Sequence, residues 1–449
     1  MISEIRQWVL DKAGLDQAVI FTLLTKLWQA LAGAVSLLLI AKFFSPQTQG
    51  FYYTFWSLLA LQTFVELGLY VVIVNLASHE WSRLSIDAVG RVVGDPVALS
   101  RLASLARFVA RWYAGVSLVF VVIAGIAGGL FLSGSAATEV SWQGPWWVVL
   151  ALAGVQLWLL PLLSLLEGCN QVVALNRFRL GQTVVESAAT LGLLIAGAGL
   201  WVAVGAQAAR VAATLYFVIV RYGRFLRSIA EGIATQRVRW RVEIWPMQWR
   251  LALQGAVNYF MFSLFTPVMF HYHGPEVAGR MGMTLQIATL VQAMALSWVQ
   301  TKVPQFGMLV AKRDYGELDR TWWRASKLSF TFASVAGLSI WCAVFVLHQF
   351  GAAFAERILP PAPTAYLLAA YGLMLISYCH SAYLRAHARE PFLFLGVTSG
   401  LLVGIFVFLL GSSYGPNGAA AGFMMVAALF VVPLSTFIWA RRRSEWQRA

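Results

Sequence analysis

The chain has 449 residues, of which 59% are hydrophobic and 12% are charged, and its mean hydropathy is +0.71. A soluble globular chain carries about a quarter charged residues and less than half apolar ones, so this composition excludes an ordinary soluble domain. The formal net charge is +14, from 33 Lys and Arg against 19 Asp and Glu.

Apolar stretches long enough to cross a bilayer recur along the whole chain. A helix of about 20 apolar residues covers the hydrocarbon core. The predicted spans are residues 18–41, 51–75, 113–133, 145–167, 180–200, 201–222, 251–273, 281–301, 326–350, 364–384, 392–411 and 418–440. The sequence therefore predicts an all-α, polytopic membrane protein with about 12 transmembrane helices.

The positive charges are distributed unevenly between the two sides of the predicted membrane. With both termini in the cytoplasm, the inner segments hold 28 of the 33 Lys and Arg. The outer loops hold Lys42, Arg280 and Arg357, and the interiors of the spans hold Lys26 and Arg210; Arg221 and Lys327, at the cytoplasmic ends of their spans, are counted with the inner segments. This asymmetry follows the positive-inside rule. The basic segments therefore indicate topology and contact with membrane lipids, and they do not indicate a nucleic-acid partner.

A short motif occurs twice, 229 residues apart: Ser45–Gly50 precedes the second span and Gly274–Gly279 precedes the eighth. Pro can open a helix at its first turn, so each copy is typical of an outer turn that leads into the next helix. Internal repeats are common in secondary transporters. We predict an N-terminal six-helix lobe over 1–222, a cytoplasmic linker over 223–250 and a C-terminal six-helix lobe over 251–449.

Residues 97–112 precede the third span and have an amphipathic helical pattern. Leu102, Leu105 and Val109 lie on one side of this helix, and Arg101 lies towards the other. Such a pattern predicts a helix at the membrane interface, with its apolar face in lipid and its cations among the head groups.

Four full charges lie well inside predicted spans, away from the span ends: Lys26, Glu66, Glu186 and Arg210. An Arg or Lys at the centre of a spanning helix costs about 2.5–3.5 kcal/mol on insertion scales, so its retention needs a reason. Depth along the helices matches Lys26 with Glu66 and Glu186 with Arg210. The four groups either form two structural ion pairs or line a water-filled cleft. In a cleft, the cations would bind an anionic head group and the carboxylates would bind a coupling ion.

Weaker candidates for substrate binding are polar side chains within the spans. Gln62, Asn258 and Gln286 could hydrogen-bond sugars or could equally join helices. His380 is a lone histidine in a span and is more often packed than functional. No nucleotide-binding, hydrolase or metal-ligand pattern occurs in the sequence. We therefore expect a protein that is not an enzyme and has neither a cofactor nor a metal site.

Five segments resemble the polysaccharide flippases of the multidrug/oligosaccharidyl-lipid/polysaccharide (MOP) superfamily. They are Phe44–Phe55, Leu61–Gly68, Glu167–Gln171, Gly274–Gly279 and Pro304–Phe306. The resemblance covers essentially the whole chain. It implies a MATE-like, V-shaped bundle of two six-helix lobes around a central cleft that opens to each side of the membrane in turn.

The resemblance also implies a cargo and a location. In Wzx-type members the cargo is an undecaprenyl-pyrophosphate-linked oligosaccharide, carried from the inner to the outer leaflet of the bacterial inner membrane. It is used to assemble surface polysaccharide such as the O-antigen of lipopolysaccharide, so polysaccharide assembly proteins are possible partners. A pyrophosphate needs cations, which assigns head-group contacts to Lys26 and Arg210. Glu66 and Glu186 would then balance charge or couple transport to an ion.

Three other functions remain open at this point. A cation-coupled multidrug exporter of the same architecture would need acidic residues in its cleft. A membrane-bound polymerase or ligase of lipid-linked sugars would typically carry a large outer loop, whereas the longest predicted here is 133–144. A scaffold without transport activity is the third.

Overall fold

The computed structural model describes residues 17–134, 140–232, 236, 238–387 and 392–448. Helices account for nearly all of the described secondary structure, as the sequence predicts for an all-α membrane protein. One small feature was not predicted. Strands β1 (Leu84–Ile86) and β2 (Val92–Gly94) form an antiparallel hairpin in which Leu84 pairs with Gly94.

The first half of the chain contains nine helices among its described residues. They are α1 (Gln17–Phe43), α2 (Pro46–Leu59), α3 (Gln62–Glu66), α4 (Leu69–Trp81), α5 (Pro96–Ser133), α6 (Gln143–Gly168), α7 (Val172–Ile195), α8 (Trp201–Tyr216) and α9 (Gly223–Glu231). A π-helical turn, Phe217–Arg221, continues α8, and another, Trp240–Ile244, leads into the second half.

The second half contains seven helices among its described residues. They are α10 (Trp245–Phe262), α11 (Phe265–Gln300), α12 (Val303–Ala311), α13 (Tyr315–Gln349), α14 (Pro361–Arg385), α15 (Leu393–Val426) and α16 (Val432–Arg448). A 3₁₀ turn, Ala353–Arg357, follows α13, and a π-helical turn, Ala427–Val431, joins α15 to α16.

Within the described residues, eight helical runs are long and apolar enough to cross a membrane, or nine if one bent pair counts as a span. Two of these runs, Gln248–Ala311 and Leu393–Trp446, each contain two predicted spans. Gly274 and Gly415 interrupt them with positive φ angles of 85° and 61°, and a proline follows each glycine. Helix α7, the fifth predicted span, is not among the runs, because polar residues lower its hydropathy.

The described chain divides into two compact units. The first unit takes the described residues of Met1–Phe43, Leu61–Leu130 and Ser141–Gly255. The second unit takes those of Phe44–Ala60, Phe131–Val140 and Ala256–Ala449. The division cuts the second predicted span between α2 and α3. The lobe boundaries at residues 222 and 250 stay a prediction.

The second predicted span is broken just after α3. Leu67 and Gly68 both have left-handed backbones, with φ angles of 55° and 63°. Two consecutive residues in this conformation cannot continue an α-helix, so the chain bends by 48° between Pro46–Glu66 and Leu69–Trp81. A β-carbon at Gly68 would lie 2.4 Å from Cβ of Leu251, so only glycine fits the bend.

Within the second unit, the two copies of the repeated motif contact each other where α2 crosses α11. Ser45 caps α2, and Pro46 opens it. A β-carbon built on Gly50 would lie 1.8 Å from the Pro275 carbonyl oxygen, and one built on Gly279 would lie 2.9 Å from the Gly50 nitrogen. Each glycine occurs four residues after its proline. The repeat therefore forms a close helix crossing.

The prediction that the apolar face of residues 97–112 contacts lipid is wrong, whereas the position of this helix at the membrane interface stays a prediction. Leu102, Leu105 and Val109 are at most 1% exposed and belong to the protein core. The Arg101 guanidinium donates to Glu80 Oε1 at 2.7 Å and to Glu243 Oε2 at 2.6 Å. An amphipathic pattern shows that one face is buried, but protein can cover that face as well as lipid can.

The predicted linker is attached to α5 by several hydrogen bonds. Arg107 donates to the Gly232 carbonyl oxygen, and the backbone N–H groups of Gln236 and Val238 donate to Ser100 and Ser104 at 2.9 and 3.2 Å. The described part of the linker therefore belongs to the first unit.

Candidate functional site

A row of polar side chains runs along one face of α7 in the first unit. Most of its members repeat at intervals of three and four residues, which places them on the same side of a helix. These residues, called here the polar seam, are Asn176, Arg179, Gln182, Thr183, Glu186, Ser187 and Thr190. Most are half-buried. A spanning helix does not need so many polar groups for stability, so the seam is the candidate site.

The seam begins after a sharp turn between α6 and α7. Asn170 has a φ angle of 60°, a left-handed conformation that asparagine tolerates better than most residues. The turn brings Glu167, at the end of α6, next to the seam. Arg179 Nη2 donates to Glu167 Oε2 at 2.7 Å, and Arg179 Nη1 donates to Asn176 Oδ1 at 3.2 Å.

One helical turn past Thr183, the seam contains the ion pair that the sequence matched by depth. Arg210 of α8 donates from Nε to Glu186 Oε2 at 3.0 Å and from Nη2 to Oε1 at 2.7 Å. This is the bidentate geometry that a guanidinium forms with a carboxylate or a phosphate. The side chains keep 39% and 21% of their exposure, so the pair lies at an open face of the unit.

Behind this pair, neutral side chains join α7 to α6 and α8. Gln182 Nε2 donates to the Thr214 hydroxyl at 2.8 Å and to the Arg210 carbonyl oxygen at 3.1 Å. Thr214 lies 3.3 Å from Gln156 Oε1 of α6. These bonds fix the backbone that carries Arg210, so the guanidinium is held in place from behind.

Helix α1 packs against the seam and carries Lys26. Asn176 Nδ2 donates to the Thr22 hydroxyl at 3.1 Å, and Trp28 Nε1 donates to the Ser187 hydroxyl at 3.3 Å. Lys26 lies four residues after Thr22, hence on the same face of α1. Its side chain is exposed, and no described carboxylate lies within 4 Å of it. The predicted Lys26–Glu66 ion pair is therefore not formed.

Glu66 and Gln62 lie on the short helix α3, directly before the break at Leu67, and both are half-buried. Glu66 belongs to the same compact unit as the seam. Broken helices commonly border the binding sites of transporters.

The other predicted site residues belong to the second unit. Asn258 is exposed on α10, and Gln286 is half-buried on α11. His380 is 5% exposed and stacks on the rings of Trp439 and Trp322, with centroids 5.0 and 5.8 Å away. Trp322 and Trp439 also stack on each other, with centroids 4.8 Å apart, so the three rings form one buried cluster and His380 has the contacts of a packed core residue.

The candidate site therefore contains three cations and three carboxylates. They are Lys26, Arg179 and Arg210, with Glu66, Glu167 and Glu186. Two ion pairs use four of them, and within the described residues no ion pair involves Lys26 or Glu66. The site can accept an anionic group at its lysine and a proton or cation at its unpaired carboxylate.

Sequence reasoning missed the Glu167–Arg179 pair. Both residues lie near predicted span ends. Charged side chains are common there, so their presence did not indicate a site. The signal that could have located the pair is the intervening Gly168 and Asn170. Gly168 packs so closely that a β-carbon would lie 2.6 Å from Cβ of Ala77, and Asn170 makes the turn.

No protein-family model and no curated protein sequence matches this chain. Solved structures match it over almost its whole length. The inward-facing conformation of a multidrug resistance MATE family transporter of the MOP superfamily has a TM-score of 0.63 at 14% identity, with 96% of each chain covered. The lipid II flippase MurJ in its inward closed conformation has a TM-score of 0.57 at 12% identity, covering 94% of this chain and 87% of MurJ.

A MOP superfamily transporter from Pyrococcus furiosus, described by the reverse polarity of its binding pocket, has a TM-score of 0.54 at 13% identity, with 96% of each chain covered. At such low identity the likeness establishes the fold alone. The chain has the fold of the MOP superfamily transporters, as its sequence resemblance implies.

Proposed function

We propose that this protein is a secondary transporter of the bacterial cytoplasmic membrane. It moves an undecaprenyl-pyrophosphate-linked oligosaccharide from the inner to the outer leaflet by alternating access, for surface polysaccharide assembly. Both termini lie in the cytoplasm. The observation that carries this proposal is the polar seam, a row of charged and hydrogen-bonding groups on α7, the fifth predicted span, in a chain with the fold of known transporters.

The head group binds first at Lys26. Its ammonium group is exposed beside the seam and has no described carboxylate within 4 Å, so an incoming phosphate does not have to break an ion pair there. Lysine binds phosphate as a compact charge with rotatable donors, which suits a diphosphate that arrives in varied orientations.

Arg210 provides the second contact by exchanging partners. A phosphate group of the diphosphate can accept the same two parallel N–H bonds as the carboxylate of Glu186, so it can replace that carboxylate on the guanidinium. The hydrogen bonds of Gln182 and Thr214 hold the backbone in place during the exchange. Glu186, once released, can take up a proton, which couples binding of the cargo to the proton gradient.

Sugar units contact the neutral groups of the seam and Gln62. Asn258 and Gln286 of the second unit are kept as proposed sugar contacts, whereas His380 is left out because its ring is buried in a cluster with two indoles.

A multidrug exporter coupled to a cation is the second candidate, and Glu66 favours it. This carboxylate is half-buried on a broken span and forms no ion pair within the described residues. Such a group can bind a proton or Na⁺ in exchange for a cationic drug. Several structures with the same fold are multidrug transporters, one of them the MATE multidrug transporter DinF-BH in complex with R6G (TM-score 0.57).

Mass spectrometry of lipid extracts from a deletion strain of the native host tests the proposal. We expect undecaprenyl-pyrophosphate oligosaccharide to accumulate and surface glycan to disappear. The wild-type gene should reverse both effects, and Arg210→Gln and Lys26→Gln should not. Arg224→Gln removes an exposed cation on α9 outside the seam, and it should complement fully.

Two results would contradict the flippase. One is an unchanged lipid-linked pool with intact surface glycan in the deletion strain. The other is full complementation by the Arg210 and Lys26 variants. If the deletion strain instead becomes sensitive to cationic drugs, and Glu66→Gln fails to restore resistance, the exporter replaces the flippase.

A further inference from the structure

The second unit contains a cavity of about 650 Å³ that is separate from the polar seam. It lies where α11 ends, beside α12 and the first four turns of α13. Its volume is within the range of about 300–1,000 Å³ that is usual for small-molecule sites. The end of α11 and the start of α13 belong to a predicted inner segment rich in Lys and Arg, so this end of the two helices faces the cytoplasm.

Cations dominate the cavity wall. Lys302, Arg320 and Arg324 line it together with a single carboxylate, Glu317. Arg320 Nη1 lies 3.5 Å from Glu317 Oε2 and is partly neutralised by it. No ion pair within the described residues involves Lys302 or Arg324. The cavity therefore has an excess of positive charge with at least two available donors, which suits a phosphate.

Part of the remaining wall is apolar, and the rest carries the neutral polar side chains of Thr301, Gln305 and Thr321. Trp298 and Leu328 line the apolar part and are 37% and 49% exposed. Further along α13, away from the cations, Val335 and Leu338 are more than 60% exposed. Exposed apolar side chains on a spanning helix contact acyl chains. The cavity thus lies at the level where head groups meet hydrocarbon.

We propose that this cavity binds an anionic phospholipid of the inner leaflet. The phosphate contacts Lys302 and Arg324, and an acyl chain extends along Trp298 and Leu328. Basic pockets between helices on the cytoplasmic side are the sites where proteins bind anionic lipid head groups. A free phosphate would use the cations but would leave the apolar wall empty. The bound lipid is a structural or regulatory ligand and is distinct from the transported cargo.

The test is a thermal unfolding titration of the purified full-length protein in a neutral detergent. Short-chain phosphatidylglycerol is the probe, and short-chain phosphatidylcholine and glycerol phosphate are the comparisons. A ligand that binds the folded state raises the Tm and saturates. We expect a saturating rise with phosphatidylglycerol and little rise with either comparison compound.

Two variants with opposite expected effects accompany the wild type. Lys302→Gln/Arg324→Gln should bind phosphatidylglycerol about thirtyfold more weakly, because each cation near an anionic lipid contributes about fivefold in affinity. Glu317→Gln should bind it about fivefold more tightly, because it removes the only carboxylate lining the cavity and frees Arg320. Misfolding cannot produce a gain of affinity.

The matched control is Lys312→Gln/Arg313→Gln, which removes the same two charges from exposed positions of the same inner segment, outside the cavity. It should bind like the wild type. Equal weakening in the control would mean that general surface charge, and not the cavity, binds the lipid. An equal response to glycerol phosphate would assign the cavity to a soluble anion. Either result, or an unchanged affinity in the double variant, overturns the proposal.

Discussion

At the residue scale, the ion pair between Glu186 and Arg210 decides how the candidate site works. Its two hydrogen bonds have the lengths of a stable bidentate pair, yet both side chains are partly exposed. A purely structural pair and a pair that opens for substrate have the same geometry. They differ in what happens when both charges are removed together.

We therefore predict that stability and transport respond differently to the double substitution. Arg210→Gln leaves Glu186 without its cation and should destabilise the protein by about 1–3 kcal/mol, the usual cost of an unsatisfied group. Arg210→Gln/Glu186→Gln should recover most of that stability but no transport. Thermal unfolding in detergent and the lipid-linked pool in cells measure the two effects. Transport that recovers with stability would make the pair structural.

A second prediction at this scale concerns acid stability. Glu243 lies outside the predicted spans. Desolvation raises the pKa of Glu243, but hydrogen bonds from the Arg239 backbone and the Arg101 guanidinium lower it more, so the net pKa is below 4.5. A carboxyl whose pKa is lower when folded stabilises the protein above its unfolded pKa. This stabilisation is lost as the pH falls below about 4.5.

The Tm of the wild type should therefore decrease between about pH 5 and pH 3, and Glu243→Gln should flatten part of this decrease. Glu231→Gln removes an exposed carboxylate of α9 and serves as the control with an unchanged slope. Identical pH profiles for wild type and Glu243→Gln would show that the Arg101 contact contributes nothing.

At the element scale, the crossing of α2 and α11 shows what the repeated motif does. Glycines after Pro46 and Pro275 allow the two helices to approach until backbone touches backbone. Gln49 strengthens the crossing by donating from Nε2 to the carbonyl oxygens of Gly279 and Arg357, both at 2.9 Å. Close approach gives dispersion contacts that lipid could not replace equally well.

Gly50→Ala should separate the two helices, because its β-carbon would lie 1.8 Å from the Pro275 carbonyl oxygen. We expect a loss of about 3 kcal/mol or more, the upper end of overpacking costs, measured as thermal stability in detergent. Gly372→Ala is the control. This glycine lies inside α14 with nothing within 4 Å of an added β-carbon, so alanine should be neutral or stabilise by up to about 1 kcal/mol. Equal stabilities for the two variants would show that α2 and α11 tolerate separation.

At the scale of the whole molecule, charge distribution predicts orientation in the membrane. The second-unit turn Ala353–Arg357 should lie outside the cell, and the end of α16 should lie in the cytoplasm. The turn and the end of α16 both contain arginine, so the composition of either segment alone does not show on which side of the membrane it lies. The distribution of Lys and Arg over all the segments between spans does show it.

Cysteine labelling tests this orientation. The exposed Cys342 is replaced by serine, while the buried Cys169 and Cys379 remain. We expect an impermeant maleimide to label Ala353→Cys in intact cells and Ser444→Cys only after permeabilisation. Labelling of Ser444→Cys in intact cells would contradict the predicted topology.

The sequence by itself determined the fold class and the pairing of Glu186 with Arg210, because both follow from spacing along the chain. A helix rises about 1.5 Å per residue, so residues equally far from one turn reach equal depth.

Only the tertiary structure decided which neighbours those residues meet. Lys26 and Glu66 have matching depths but no ion pair, because depth does not specify the direction in which a side chain points around its helix axis. The face of residues 97–112 is covered by protein and not by lipid, and the sequence pattern is the same in either case. His380 stacks on two indoles, one 58 residues before it and one 59 residues after it along the chain. Contacts between residues so distant in sequence exist only once the chain has folded.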